Sequence, residues 1–142
     1  MKAKRFLSLL LALVMTLSLL VTGVSAETVN DSFTNAVTII VNAPYMDTIE
    51  NGQNEFYARV KVPADGYVSL TFNDKSSGTE PSDYSSWETI FYTSDLESMV
   101  GFGNSAGESK TFDPVGLPAG DYYVRVIGHV MPENSKFQII VN

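Results

Sequence analysis

Cysteine is absent from the 142 residues, and histidine and tryptophan occur once each, as His129 and Trp87. The first absence excludes a disulfide framework, so packing or a bound ion must hold the fold. One imidazole and no thiol leave too few ligands for a zinc centre, which takes three or four His, Cys or carboxylate groups. Positive charge is also scarce, with 9 Lys+Arg against 16 Asp+Glu. A field of that sign repels phosphate backbones and anionic lipid, which argues against nucleic acid and membrane surfaces as partners. No Asp-x-Asp-x-Asp-Gly loop occurs, so there is no EF-hand.

Basic residues do cluster once, at the start. Lys2, Lys4 and Arg5 precede an apolar run from Phe6 to Val21, broken only by Ser8, Thr16 and Ser18. Small residues follow in Thr22-Gly23-Val24-Ser25-Ala26, with Val24 and Ala26 where a signal peptidase expects compact side chains. The run is shorter than the roughly 20 residues of a spanning helix. Residues 1–26 therefore read as a signal peptide cleaved after Ala26, and 27–142 as one secreted domain with no further membrane span. Because Glu27, not cysteine, follows the cleavage point, the new N-terminus is not a lipid-attachment site. Cleavage removes three basic residues and no acidic one, leaving 6 against 16, a formal −10.

Beyond residue 26 helical periodicity is nearly absent. Short runs rich in Val, Ile, Thr, Tyr and Phe recur between Gly, Pro, Asn and Asp clusters, the pattern of a β-sandwich or barrel. Only Asp31 to Ala36 suggests a helical turn, with Asp31 or Ser32 as its cap. Strands are predicted over 36–41, 45–50, 55–62, 67–73, 87–93, 97–102, 109–112, 121–128 and 136–141. In the third, Ala58, Val60 and Val62 share one face, and Tyr57, Arg59 and Lys61 the other. The turn Pro63-Ala64-Asp65-Gly66 predicts a hairpin between the third and fourth strands, with Gly66 free to take positive φ. The fold expected is an all-β, antiparallel, jelly-roll-like sandwich of about 8–9 strands.

Three segments, in order, carry a resemblance to a known family. They are Asn30-Asp31-Ser32-Phe33-Thr34-Asn35-Ala36, the stretch from Val62-Pro63-Ala64-Asp65-Gly66-Tyr67 to Phe72, and Gly116-Leu117-Pro118-Ala119-Gly120-Asp121-Tyr122-Tyr123-Val124-Arg125-Val126. Together they resemble the bacterial pre-peptidase C-terminal domain family over nearly all of 27–142. The resemblance implies a non-catalytic jelly-roll domain of the kind appended to secreted proteases and other exported enzymes. Such domains are associated with secretion or with binding polymers such as collagen or polysaccharide. Some related collagenase domains bind calcium through acidic residues near their N-terminal edge. Many members carry an Asp-x-Asp pair before the third strand, where this chain has Asn51-Gly52-Gln53-Asn54-Glu55-Phe56, with one acid.

Candidate chemistry follows from these residues. A calcium site would draw on Glu27, Asn30, Asp31 and Asn54, with Asp47 and Glu50 near by, since hard cations take 6 to 8 oxygens. Exposed rings suited to stacking on a sugar would come from Tyr57, Trp87 and Tyr123; Tyr57 and Tyr123 have outward parity, whereas for Trp87 plugging one end of the sandwich is the favoured reading. A hydrolase would need His129 as base beside a serine and an aspartate, but a solvated histidine in a loop is the expectation. The function read from the sequence is a secreted, non-catalytic module binding an extracellular polysaccharide or protein, assisted by calcium. The alternatives are an assembly or export-associated domain acting with a separately encoded secreted protease, and a small hydrolase.

Overall fold

The computed structural model describes residues 30–49, 53–76, 86–131 and 135–142. The expected leader, its cleavage point and Glu27 lie outside them, as does Glu50.

Eleven strands and one 3-10 turn make up the described chain. The turn is Phe33–Asn35. The strands are β1 Val37–Ile39, β2 Tyr45–Ile49, β3 Glu55–Val62, β4 Gly66–Val68, β5 Leu70–Asp74 and β6 Ser86–Tyr92, followed by β7 Ser98–Asn104, β8 Ser109–Thr111, β9 Val115–Leu117, β10 Gly120–Val130 and β11 Ser135–Val141. A five-stranded sheet runs β1-β3-β10-β6-β7, a four-stranded sheet β2-β11-β5-β8, and β4 with β9 forms a two-stranded ribbon. All pairs are antiparallel except β1 with β3.

The two larger sheets pack face to face. Alternation supplies the inner faces: Phe56, Ala58, Val60 and Val62 from β3, Tyr122, Val124 and Val126 from β10, and Leu70 with Phe72 from β5. Rings bridge the sheets, with Phe56 against Phe137 at 4.9 Å, Phe72 against Trp87 at 5.3 Å and Phe91 against Phe112 at 5.6 Å between centroids. Burying a side chain of this size contributes about 1.5–3 kcal/mol.

All nine predicted strands are present, and two further ones follow from a difference in topology. No hairpin joins β3 to the next strand. β3 pairs with β1 and β10, whereas β4 pairs with β9 and β5 with β11 and β8. Pro63 to Asp65 instead carries the chain out of one sheet, and the predicted fourth strand breaks at Ser69 on its way into the other. Ser69 exchanges backbone bonds with Asn142. Among the described glycines only Gly107, in the β7–β8 turn, has positive φ, at 71°; Gly66 lies within β4. β9 is the second added strand, and it pairs with β4 in the ribbon. The predicted cap is also modified: Ser32 occupies the N-cap position without a side-chain bond, and Asp31 Oδ1 accepts from Asn35 Nδ2 at 3.1 Å.

Candidate functional site

Outward-facing residues of the five-stranded sheet fall in rows across β3, β10, β6 and β7. The register aligns Tyr57, Arg125, Ile90 and Gly101 in one row and Glu55, Ile127, Glu88 and Gly103 in the next; Arg59, Tyr123 and Tyr92 make a third. Two rows thus begin in bulky side chains and end in glycine. The face is filled on one side and hollow on the other.

The filled side is held by Phe33. Its ring meets Tyr57, Tyr92 and Tyr123 edge-on, at 4.8, 5.1 and 5.6 Å between centroids. Tyr57 is consequently only 7% exposed although it points away from the core. The Tyr57 hydroxyl donates to Glu55, and Arg125 pairs with the same carboxylate while its guanidinium lies 5.7 Å from the Tyr57 ring. Arg125 first, then the Tyr57 hydroxyl, holds the Glu55 carboxyl below its usual range. Burial, reinforced by the bond to Glu55, pushes the Tyr57 phenol up. The bond to Glu55 raises the Arg125 guanidinium further. This cluster is a brace for the 3-10 turn, with its polar groups already engaged.

The hollow side is a trench of about 900 Å³ along β6 and β7. Its floor lacks side chains at Gly101 and Gly103. A Cβ at Gly101 would meet only Ile90 and the Thr89 carbonyl, at 3.5 Å, and one at Gly103 only the Trp87 carbonyl, at 3.6 Å, both ordinary contacts. Ile90, Tyr92, Leu96 and Met99 make one end apolar, and Glu88 with His129 makes the other polar. Glu88 Oε2 lies 3.1 Å from His129 Nε2, and both side chains are substantially exposed. Leu96 stands at the mouth, 44% exposed, with φ at 63°. The hairpin turn between β6 and β7 sets that φ: the Leu96 amide donates to the Thr93 carbonyl at 3.1 Å and the Thr93 amide to the Glu97 carbonyl at 2.9 Å, and a short hairpin loop of this kind ends in a left-handed residue, at a cost of about 1–2 kcal/mol where it is not glycine. An open channel with apolar contacts at one end and hydrogen-bonding groups at the other suits an extended chain laid along it.

The sequence-predicted residues are distributed otherwise. Trp87 is 1% exposed, packed on Phe72 and Phe137, so its ring offers no face to solvent. Tyr57 and Tyr123 come together, under Phe33. Among the described residues the buried Asn30 Oδ1 has no hydrogen-bond partner, Asp31 is engaged by Asn35, and Asn54 is exposed, its carbonyl accepting from the Gly128 amide at 2.7 Å. Asp47 accepts from the Tyr45 hydroxyl and the Thr48 amide, both at 2.7 Å. Among the described residues no group of three or more His, Cys, Asp or Glu side chains is placed to share an ion. His129 is exposed as expected but sits in β10, not in a loop, because that strand runs two residues further than its alternation suggests.

Two features are missing from the residues singled out by sequence. Tyr67, on the β4–β9 ribbon, is 80% exposed and borders a shallow hollow of about 490 Å³ with Gly116 and Pro118. Its outward position follows from the parity of Val68. Gly103-Asn104-Ser105-Ala106-Gly107 has the Gly-x-Ser-x-Gly spacing of hydrolase nucleophile turns. That chemistry needs a strand-to-helix elbow, whereas here the segment turns tightly from β7 into β8. The Ser105 amide donates to Glu108 at 2.9 Å, and among the described residues His129 is bonded to Glu88 and to no serine.

No known protein family matches this sequence, and no curated protein does. Among solved structures the chain is similar to the pre-peptidase C-terminal domain of a collagenase from Bacillus anthracis, with 12% identity, a TM-score of 0.58, and coverage of 75% of this chain and 94% of that one. It is also similar in general outline to a carbohydrate-binding module from Cellvibrio mixtus lichenase 5A, with 12% identity, a TM-score of 0.39, and 70% and 86% coverage. The first likeness establishes a shared β-sandwich fold.

Proposed function

We propose that this chain is a secreted, non-catalytic module of the pre-peptidase C-terminal kind, which holds an extracellular polymer, polysaccharide or protein, in the trench across β6 and β7. The observation that carries this reading is a glycine floor between an apolar end, with Ile90, Leu96 and Met99, and a hydrogen-bonding end, with Glu88 and His129. A sheet face that served only as surface would gain from side chains at 101 and 103, for which the backbone has room. The resemblance in three ordered segments and the shared sandwich fold support the family reading. Export rests on the signal-peptide pattern of residues 1–26. Calcium enters only as an aid to the N-terminal edge, through Glu27, Asn30, Asp31 and Asn54.

Co-sedimentation with insoluble polysaccharides, collagen and cell wall tests the proposal. Gly103→Phe fills the trench without touching the core, so it should weaken polymer binding at least about tenfold, or about 1.4 kcal/mol. Retention undiminished in that variant would remove the trench from consideration. Tyr67→Ala provides the contrast, since a loss confined to it would move the site to the ribbon. An assembly role is the second reading, and β7, an uncharged strand paired on one side only among the described residues, favours it.

A further inference from the structure

The lining of the trench distinguishes one class of polymer from another. Glu88 and Ile90 stand two residues apart on β6, opposite Gly103 and Gly101 of the floor. Two residues of strand span about 6.7 Å, and alternate side chains of any extended polypeptide repeat at the same interval. A polypeptide laid along the trench therefore keeps step with its wall. One side chain falls over Gly101 beside Ile90, and the next on that side falls over Gly103 beside Glu88. Each arrives where this chain has no side chain of its own.

Rings for stacking on a sugar are not presented. Three aromatic residues line the trench among the described residues: Trp87, Tyr92 and Phe102. Trp87 is buried, Phe102 packs against the core with Lys110 Nζ 5.9 Å from its ring centroid, and Tyr92 is packed against Phe33. Stacking on a sugar uses the flat face of such a ring, left open to solvent. The apolar end is built instead from Ile90, Leu96 and Met99. These are aliphatic chains, one of them a methionine of the adaptable kind that suits a partner's apolar side chain.

Charge narrows the other end. Among the described residues Glu88 is the one acid lining the trench, and no lysine or arginine lines it. His129 meets Glu88 Oε2, while Oε1 has no partner among the described residues. Lys110 reaches the Gly103 carbonyl at 3.0 Å but makes no ion pair with Glu88. The chain carries a formal −7, so its wider field also draws a cation toward this carboxylate. A guanidinium or ammonium on a carboxylate forms the stronger, charge-assisted class of hydrogen bond.

We propose that the trench takes an extended polypeptide segment carrying an aliphatic residue and, two positions away, a lysine or arginine. The aliphatic side chain enters among Ile90, Leu96 and Met99, and the cation meets Glu88 Oε1 over Gly103. His129 keeps the other oxygen engaged, so the cation finds a carboxylate already held in place. This names the polymer class and rests on reading the trench as the binding site.

Selection from a phage-displayed library of short random peptides tests it, using the protein purified from a host expressing the full chain. Selected sequences should share an aliphatic residue and a basic one two positions apart. In a synthetic peptide of that pattern, changing the basic residue to glutamate, the aliphatic one to serine, or the spacing to adjacent positions should each weaken binding about tenfold or more. Glu88→Lys should reverse the charge preference, binding the glutamate peptide better than the basic one. If Glu88→Lys fails to fold, Glu88→Gln should still lose the preference for the basic peptide. No selected peptide, a selected set without the basic residue at that spacing, or a preference unchanged by either Glu88 variant would overturn the inference. Gly103→Phe separates its failure from that of the trench: polysaccharide retention that depends on Gly103, with no peptide selected, overturns the polypeptide alone. Selected peptides that bind Gly103→Phe undiminished overturn the trench and the inference with it.

Discussion

Replacing Phe33 by alanine removes the ring that covers the outer face of β3 and β10, and its consequence can be worked from the contacts. A fully buried Phe→Ala change costs about 3–5 kcal/mol. Phe33 is half-buried, so roughly half of that applies, and each edge-on tyrosine contact adds something within about 0.5–1.5 kcal/mol, not additively. About 2–3 kcal/mol is the resulting loss of stability. For a domain of this size that lowers Tm by roughly 8–15 °C. Urea unfolding followed by circular dichroism measures it, and an unchanged m-value would show that the sandwich itself stays intact. The Tyr57 phenol supplies a local readout. Burial is the leading cause of its raised pKa, so ultraviolet titration of Phe33→Ala should show one tyrosine moving back toward the ordinary value. Phe33→Leu should fall between the two proteins in both measurements. A loss under about 0.5 kcal/mol in urea, with the phenol unmoved, would refute the view that Phe33 braces this face.

Glu55 gives a pH prediction whose direction follows from its lowered pKa. Its pairing contributes stability above the ordinary value of 4.5, and that contribution fades as pH falls through the lower folded value. Glu55→Gln should therefore lose stability at neutral pH by less than about 1 kcal/mol, since the pair is partly exposed, and should show a flatter acid limb; identical acid unfolding in both proteins would contradict it. Leu96→Gly relieves the left-handed strain and should raise stability by about 0.5–1 kcal/mol after glycine's entropy in the unfolded chain is subtracted, while polymer retention falls; a destabilised variant would mean that Leu96 serves packing. Calcium, if it supports the N-terminal edge, should raise Tm in proportion to its binding of the native state. That rise should disappear in the Glu27→Ala, Asp31→Ala double variant, and a rise that persists would place the ion elsewhere.

Alternation made most of the sandwich legible, because burial on one side of a strand leaves a period-two signature that needs no tertiary information. Val60 and Val62, Leu70 and Phe72, Tyr122, Val124 and Val126 all face inward as their parity requires. Partner choice has no such signature. Pro63-Ala64-Asp65-Gly66 has turn chemistry whether the chain doubles back on β3 or crosses to the opposite sheet, and the Asp65 carboxylate, which accepts from the Ala119 amide at 2.7 Å, is what ties that crossing to the distant start of β10. Parity also determines which way a side chain points and not what lies beyond it. Tyr57 points outward and is buried, because Phe33, more than twenty residues earlier, stands above it.

The trench was hidden for a different reason: its defining property is the absence of side chains at two positions, and glycine in a run such as Gly101-Phe102-Gly103 weakens a strand assignment without indicating a surface. Only the register, which aligns Gly101 with Ile90 and Gly103 with Glu88 at the end of rows of larger residues, turns two small residues into the floor of a channel.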